Sequence, residues 1–278
     1  MKKLIASTVV ALSVVSIPLA AQATPAEDLK AFQDYYKKRF PDTPFADFNN
    51  GVYSIHAPSR EQWESIEEFP PYELNVEKGQ ELWEKPFANG KTFASCFGDD
   101  TGAIKAKYPH YSKSSGKVVT LEGDINACLE ANGEEKLKWK RGKIADIGAY
   151  LAYENRGHKI DVKVPNDPKA VAAYEAGKKH FYQKRGQLNL ACADCHVYNA
   201  GNRIRADILS PALGHPSHFP VYRSKWGGLG TLHRRYGGCN SQVRAKPFKA
   251  QSDEYRNLEY FQTYMSNGLE WNGPGARK

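Results

Sequence analysis

A chain of 278 residues with 39 lysines and arginines against 31 aspartates and glutamates carries a formal net charge of +8. That length holds two ordinary domains, and the basic balance points toward anionic partners. Beyond the first 23 residues no segment is long and apolar enough to span a bilayer as a helix, so the one candidate anchor is the N-terminal apolar run, if it is not removed.

In chain order, Lys2 and Lys3 precede an apolar stretch from Leu4 to Ala21, and Ala21-Gln22-Ala23 precedes Thr24. This is the layout of a secretory signal cleaved after Ala23, and it predicts a periplasmic mature protein. For an exported chain the basic charge suggests anionic small molecules or acidic proteins, not nucleic acid. Further on, Asp167 is placed to cap a helix with Pro168 in its first turn. Val171, Tyr174 and Phe181 share a stripe of that helix, and Gly177 permits close approach by another. A loop-rich stretch full of glycine and proline follows. A last helix is expected from near Ser252 to Gly268, with Leu258, Phe261 and Met265 on its inner face.

Residues 192–196 read Cys-Ala-Asp-Cys-His. The C-x-x-C-H spacing suits covalent haem c attachment: two thiols add to the porphyrin vinyl groups and the adjacent imidazole reaches iron. Cys192 and Cys195 are the candidate thioether residues and His196 the candidate proximal ligand. A redox dithiol or half a zinc site is the alternative, but no second C-x-x-C is present.

The second half repeats the first. Tyr108-Pro109-x-Tyr111, Gly116, Thr120-Leu121 and Cys128 recur 111 residues later as Phe219-Pro220-x-Tyr222, Gly227, Thr231-Leu232 and Cys239. Gly79-x-x-x-Trp83 parallels Gly177-x-x-x-Phe181, and Gly90-x5-Cys96 parallels Gly186-x5-Cys192. A fold-level duplication accounts for so many matches in one order. The expected architecture is mainly α, with two tandem cytochrome c-like domains over 24–160 and 161–278. The first is haem-less: Cys96 matches Cys192, but Asp99 and Asp100 stand in place of the second thiol and the histidine. In an oxidising compartment Cys96 and Cys128 can pair, the alternative being two free buried thiols.

Cys239 is then left over, in an arginine-rich segment read as a loop in the region that usually supplies a distal haem ligand. Arg235 precedes it by four residues. Positive charge favours a thiolate and attracts oxyanions. Rival distal ligands are Met265, or His215, His218 and His233; His215 and His218 could also bind a metal such as copper.

The two-unit exported layout, Cys-Ala-Asp-Cys-His and Arg-Arg-Tyr-Gly-Gly-Cys-Asn resemble the SoxA family of SoxAX cytochromes in bacterial sulfur oxidation, over essentially the whole mature chain. The resemblance implies an L-cysteine S-thiosulfotransferase. Thiosulfate is joined to a cysteine of the SoxYZ carrier, and electrons leave through haem to an acceptor cytochrome. It further implies a heterodimer with SoxX, Cys239 as iron ligand and catalytic thiol (often a persulfide), and Arg235 at the thiosulfate site. Loss of the first C-x-x-C-H places the chain with members that carry one haem c and a disulfide in the first domain. The related thiosulfate dehydrogenases typically carry two haem motifs in one chain.

Overall fold

The computed structural model describes residues 23–277, so the expected signal, Ala23 apart, lies outside them. Helix α1 (Pro25–Arg39) starts with a reciprocal cap: the Glu27 amide donates to the Thr24 hydroxyl, and the Thr24 amide to the Glu27 carboxylate. Helices α2 (Ala57–Glu67), α3 (Glu73–Glu84) and the single turn α4 (Ala94–Phe97) follow. A hairpin of β1 (His110–Ser112) and β2 (Lys117–Val119) leads into α5 (Leu121–Ala131), and then α6 (Lys143–Glu154). Helix α7 (Pro168–Tyr182) opens the second half, its Asp167 carboxylate accepting from the Lys169 and Ala170 amides. A short pair, β3 (Arg203–Ile204) and β4 (Asp207–Ile208), precedes the hairpin of β5 (Val221–Arg223) and β6 (Gly228–Gly230). Helices α8 (Leu232–Gln242) and α9 (Asp253–Met265) come next, and β7 (Gly275–Arg277) adds parallel to β5.

The 111-residue spacing carries through to structure. β1, β2 and α5 begin that many residues before β5, β6 and α8. Hairpin register is kept as well: His110 pairs with Val119, as Val221 pairs with Gly230. Each hairpin follows a cis bond, Tyr108–Pro109 in one and Phe219–Pro220 in the other. In both halves two helices cross through a glycine, α3 over α6 and α7 over α9. A Cβ on Gly79 would lie 2.1 Å from the Asp146 carbonyl oxygen, and one on Gly177 would lie 2.0 Å from that of Asn257. No side chain fits between such backbones.

Apolar burial follows the same division. Trp83, Phe93, Ile125, Ile144, Ile147 and Leu151 form one core, and Tyr174, Phe181, Leu258, Phe261 and Met265 belong to another. Helix α1 precedes the first half in the chain, and the sequence places it there. Its contacts are with the second. Phe32 and Tyr36 join the α7–α9 core, Gln33 donates to the Asn267 carbonyl at 2.8 Å, and Lys178 pairs with Asp28. An amphipathic stripe requires an apolar surface, and the aromatic face of α7 and α9 supplies it.

Cys96 and Cys128 are joined in a disulfide with Cα atoms 6.0 Å apart, across 32 residues of chain. The bond ties α4 to α5 over the first core. Replacing both cysteines by serine is expected to cost about 3–4 kcal/mol from the loop it closes, read as a lower midpoint in urea denaturation. Gly177→Ala is expected to cost about 2–3 kcal/mol or more, because backbone and not a movable side chain meets the new methyl. The same denaturation series checks it, and an unchanged midpoint would show that the helices can separate freely.

Candidate active site

Cys192, Cys195 and His196 lie on a short helical segment that widens to π-type turns over Asp194–Tyr198. The Asp194 carboxylate accepts from the Ala191 amide at 2.7 Å and anchors its start. One winding of helix brings both thiols and the imidazole to the same side. The His196 Nδ1 donates to the Ser210 carbonyl at 2.9 Å, so Nε2 is the nitrogen left to face a metal. His215 stands edge-on against this ring with centroids 4.4 Å apart, and its Nε2 lies 2.8 Å from the Ser210 hydroxyl. Burial, assisted by the Arg235 charge and opposed by the Ser210 carbonyl, holds the His196 pKa down at about 4. The imidazole is therefore neutral at ordinary pH, the form that ligates metals.

Helix α1 grips the same segment from outside. Tyr36 Oη donates to the His196 carbonyl and accepts from the Ala212 amide at 3.1 Å. Tyr35 Oη donates to the Val197 carbonyl at 3.0 Å, and Arg39 Nη2 to that of Ala200 at 2.8 Å.

Cys239 lies on a helix, which corrects the loop expected from sequence. Gly237 and Gly238 lower the intrinsic helix preference of α8, and tertiary bonds hold it instead. Tyr236 Oη donates to Gln262, and Asn240 donates to Tyr255 Oη at 3.0 Å. The Thr231 hydroxyl fastens the helix start to the Trp139 carbonyl at 3.0 Å. Four residues apart on this helix, Arg235 and Cys239 share a face. Both are partly exposed, and Cys192, Cys195 and Cys239 are all free thiols. Burial pushes the Cys192 thiol up to about 12, with Cys239 as the next contributor. The helix bearing Cys239 thus faces the pentapeptide.

Of the rival histidines, His215 and His233 are committed elsewhere. His233 is buried, accepts from the Gln251 amide at 3.0 Å on Nδ1, and meets the Glu259 carboxylate at 3.0 Å on Nε2. His215 belongs to the Ser210 side of His196, and His218 is buried beside Phe219. Met265 is buried in the α7–α9 core. Among the described residues no three or more His, Cys, Asp or Glu side chains gather as a metal cage.

Sequence reasoning missed Tyr36 and Ser210, which act through a hydroxyl and a carbonyl far away in the chain that no local pattern marks.

This fold and pentapeptide define a c-type cytochrome. The family model described as SoxA/TsdA, cytochrome c domain, matches residues 78–160. That match falls on the half without the pentapeptide; the C-x-x-C-H spacing at 192–196 is what suits covalent haem c, and free thiols at Cys192 and Cys195 beside a neutral imidazole fit that group. The chain is 54% identical over 276 residues to the L-cysteine S-thiosulfotransferase subunit SoxA of Allochromatium vinosum, covering 99% of this chain and 98% of that one. It is 56% identical over 260 residues to the protein of the same name in Chlorobaculum tepidum, covering 92% and 89%. The crystal structure of SoxXA from P. pantotrophus aligns with a TM-score of 0.72 at 33% identity, over 78% of this chain and 84% of that one. The chain belongs to the SoxA family.

Tyr36→Phe is expected to cost about 1 kcal/mol, because the Ala212 amide still donates to the His196 carbonyl at 3.0 Å. Thermal denaturation of the haem-loaded protein checks this, and haem content should stay unchanged.

Proposed function

We propose that the chain is the catalytic subunit of a periplasmic L-cysteine S-thiosulfotransferase that joins thiosulfate to a cysteine of the SoxYZ carrier. The state of Cys239 carries this reading. It stands where the first half has the disulfide-bonded Cys128, yet its sulfur is unbonded and shares a helix face with Arg235. The molecule is read as two tandem cytochrome c-like units, 24–160 without haem and 161–278 with one haem c. Cys192 and Cys195 would hold that haem, and His196 and Cys239 are the side chains that would ligate its iron. The commitments of His215 and His233 and the burial of Met265 support Cys239 over those rivals.

In the overall reaction a carrier S–H bond breaks and an S–S bond to the outer sulfur of thiosulfate forms, releasing one proton and two electrons. A haem held by these residues would supply one-electron redox chemistry, the two electrons leaving to an acceptor cytochrome. Arg235 holds the sulfonate oxygens, for which a planar guanidinium fork is suited. Cys239 presents its sulfur one helical turn away on the same helix face. A SoxX subunit completes a heterodimer, supported by the likeness to the SoxXA structure. No helix among the described residues is long and apolar enough to cross a membrane.

Cys239→Ser is expected to lower turnover at least about a hundredfold and to change the electron paramagnetic resonance signal of the oxidised haem. Met265→Leu should leave that signal as it is. An unchanged spectrum in the serine variant would falsify thiolate ligation.

A further inference from the structure

The two halves share their hairpin and following helix residue for residue, so positions where they differ in charge are informative. Where the second half has Arg223 and Arg235, the first has Ser112 and Asp124. Asp124 accepts from Tyr108 Oη at 2.7 Å and serves its own core. The hairpin and helix therefore form without either arginine. Both guanidiniums occur in the half whose helix carries a free thiol, not in the half where the matching sulfur is sealed in a disulfide.

Arg223 ends β5, opposite Gly228 of β6, which removes the bulk that Lys117 provides at the matching place. Its guanidinium carbon sits 5.5 Å from the Trp226 ring, and that of Arg234 sits 4.2 Å from the same ring. Arg234 also donates to the Leu229 carbonyl at 3.1 Å. Among the described residues neither Arg223 nor Arg235 has a carboxylate at ion-pair distance. Arg223 is partly buried, and burial lowers its pKa to about 10. The Arg235 charge adds to that lowering, while the Cys239 sulfur opposes it, with Asp207 and Tyr53 opposing more weakly. The shared Trp226 ring brings Arg223 to the start of α8, the helix that carries Arg235 and Cys239, and like charges held close without a counter-ion are unfavourable in the free protein. A bound anion would relieve that cost.

We propose that Arg223 is the second arm of an oxyanion site, gripping the sulfonate end of thiosulfate together with Arg235 above the Cys239 sulfur. This rests on Cys239 being the reacting thiol. Two guanidiniums from different elements, a strand end and a helix face, fix both the position and the tilt of a tetrahedral oxyanion. One arginine alone would leave it free to swing.

The test uses the haem-loaded chain co-produced with its small cytochrome subunit, assayed with thiosulfate and carrier. Arg223→Ser copies Ser112, which the same hairpin accommodates, so haem content and subunit co-purification should be retained. The expected result is a KM for thiosulfate raised at least about tenfold, with Arg223→Lys between the two. Equilibrium dialysis of labelled thiosulfate against the oxidised complex without carrier should show the same loss of affinity. A role confined to packing on Trp226 would lower the unfolding midpoint and leave both affinities alone. KM and dialysis affinity unchanged within twofold in Arg223→Ser, with Arg235→Gln and Cys239→Ser inactive, would overturn this assignment alone. Full turnover in Cys239→Ser would instead remove the parent reading and the assignment with it.

Discussion

A carbonyl oxygen pressed against a glycine is the contact on which both halves of the molecule depend. At Gly79 and Asp146, and again at Gly177 and Asn257, two helices meet backbone to backbone. That approach places the turn after the first helix opposite the helix after the hairpin. In the first half these two elements carry Cys96 and Cys128, and a covalent bond closes the gap. In the second half they carry Cys192 and Cys239, both of which remain free. One frame is thus closed by its own sulfur atoms, while the other keeps them available.

Charge is distributed along the same division. The seam between the halves encloses a cavity of about 20 Å³ lined by Lys105, Glu122, Glu259 and Trp271, with Lys105 Nζ 4.7 Å from the Trp271 ring. Burial lowers the pKa of Lys105 and raises that of Glu122. Glu122 and His233 occupy matching positions 111 residues apart, so the two pseudo-equivalent helices present opposite chemistry to one interior. Removing one member of such a group strands the rest as uncompensated buried polarity, which is far costlier than losing a surface pair. The arginines near Cys239 lack this internal compensation and face a partly exposed surface, where a small anion can supply it.

Much of this organisation is legible in the sequence because it depends on residues close together in the chain. The Asp167 cap, the Gly177 contact and the inner face of α9 are set by local chemistry and by helical period. The duplication is visible because the same turn and packing requirements recur at one spacing. The disulfide follows from that spacing together with parity of the cysteines. Helix α8 is not legible, because Gly237, Gly238 and paired arginines resemble a loop until Gln262, Tyr255 and Trp139 are placed around them. The attachment of α1 to the second half is not legible either, because residues 24–160 read as one unit and the partners of Phe32 and Tyr36 lie far along the chain. Ser210 contributes a main-chain oxygen to His196, and every residue type has one.

Tyr36 and its two bonding partners are separated by 160 and 176 residues of chain. Closing so long a circuit is slow compared with forming a helix or a hairpin. The leading helix therefore stays without its aromatic seat until α7 and α9 have been made, and the turn carrying Cys192, Cys195 and His196 gains this outer clasp only when distant stretches of the chain have met.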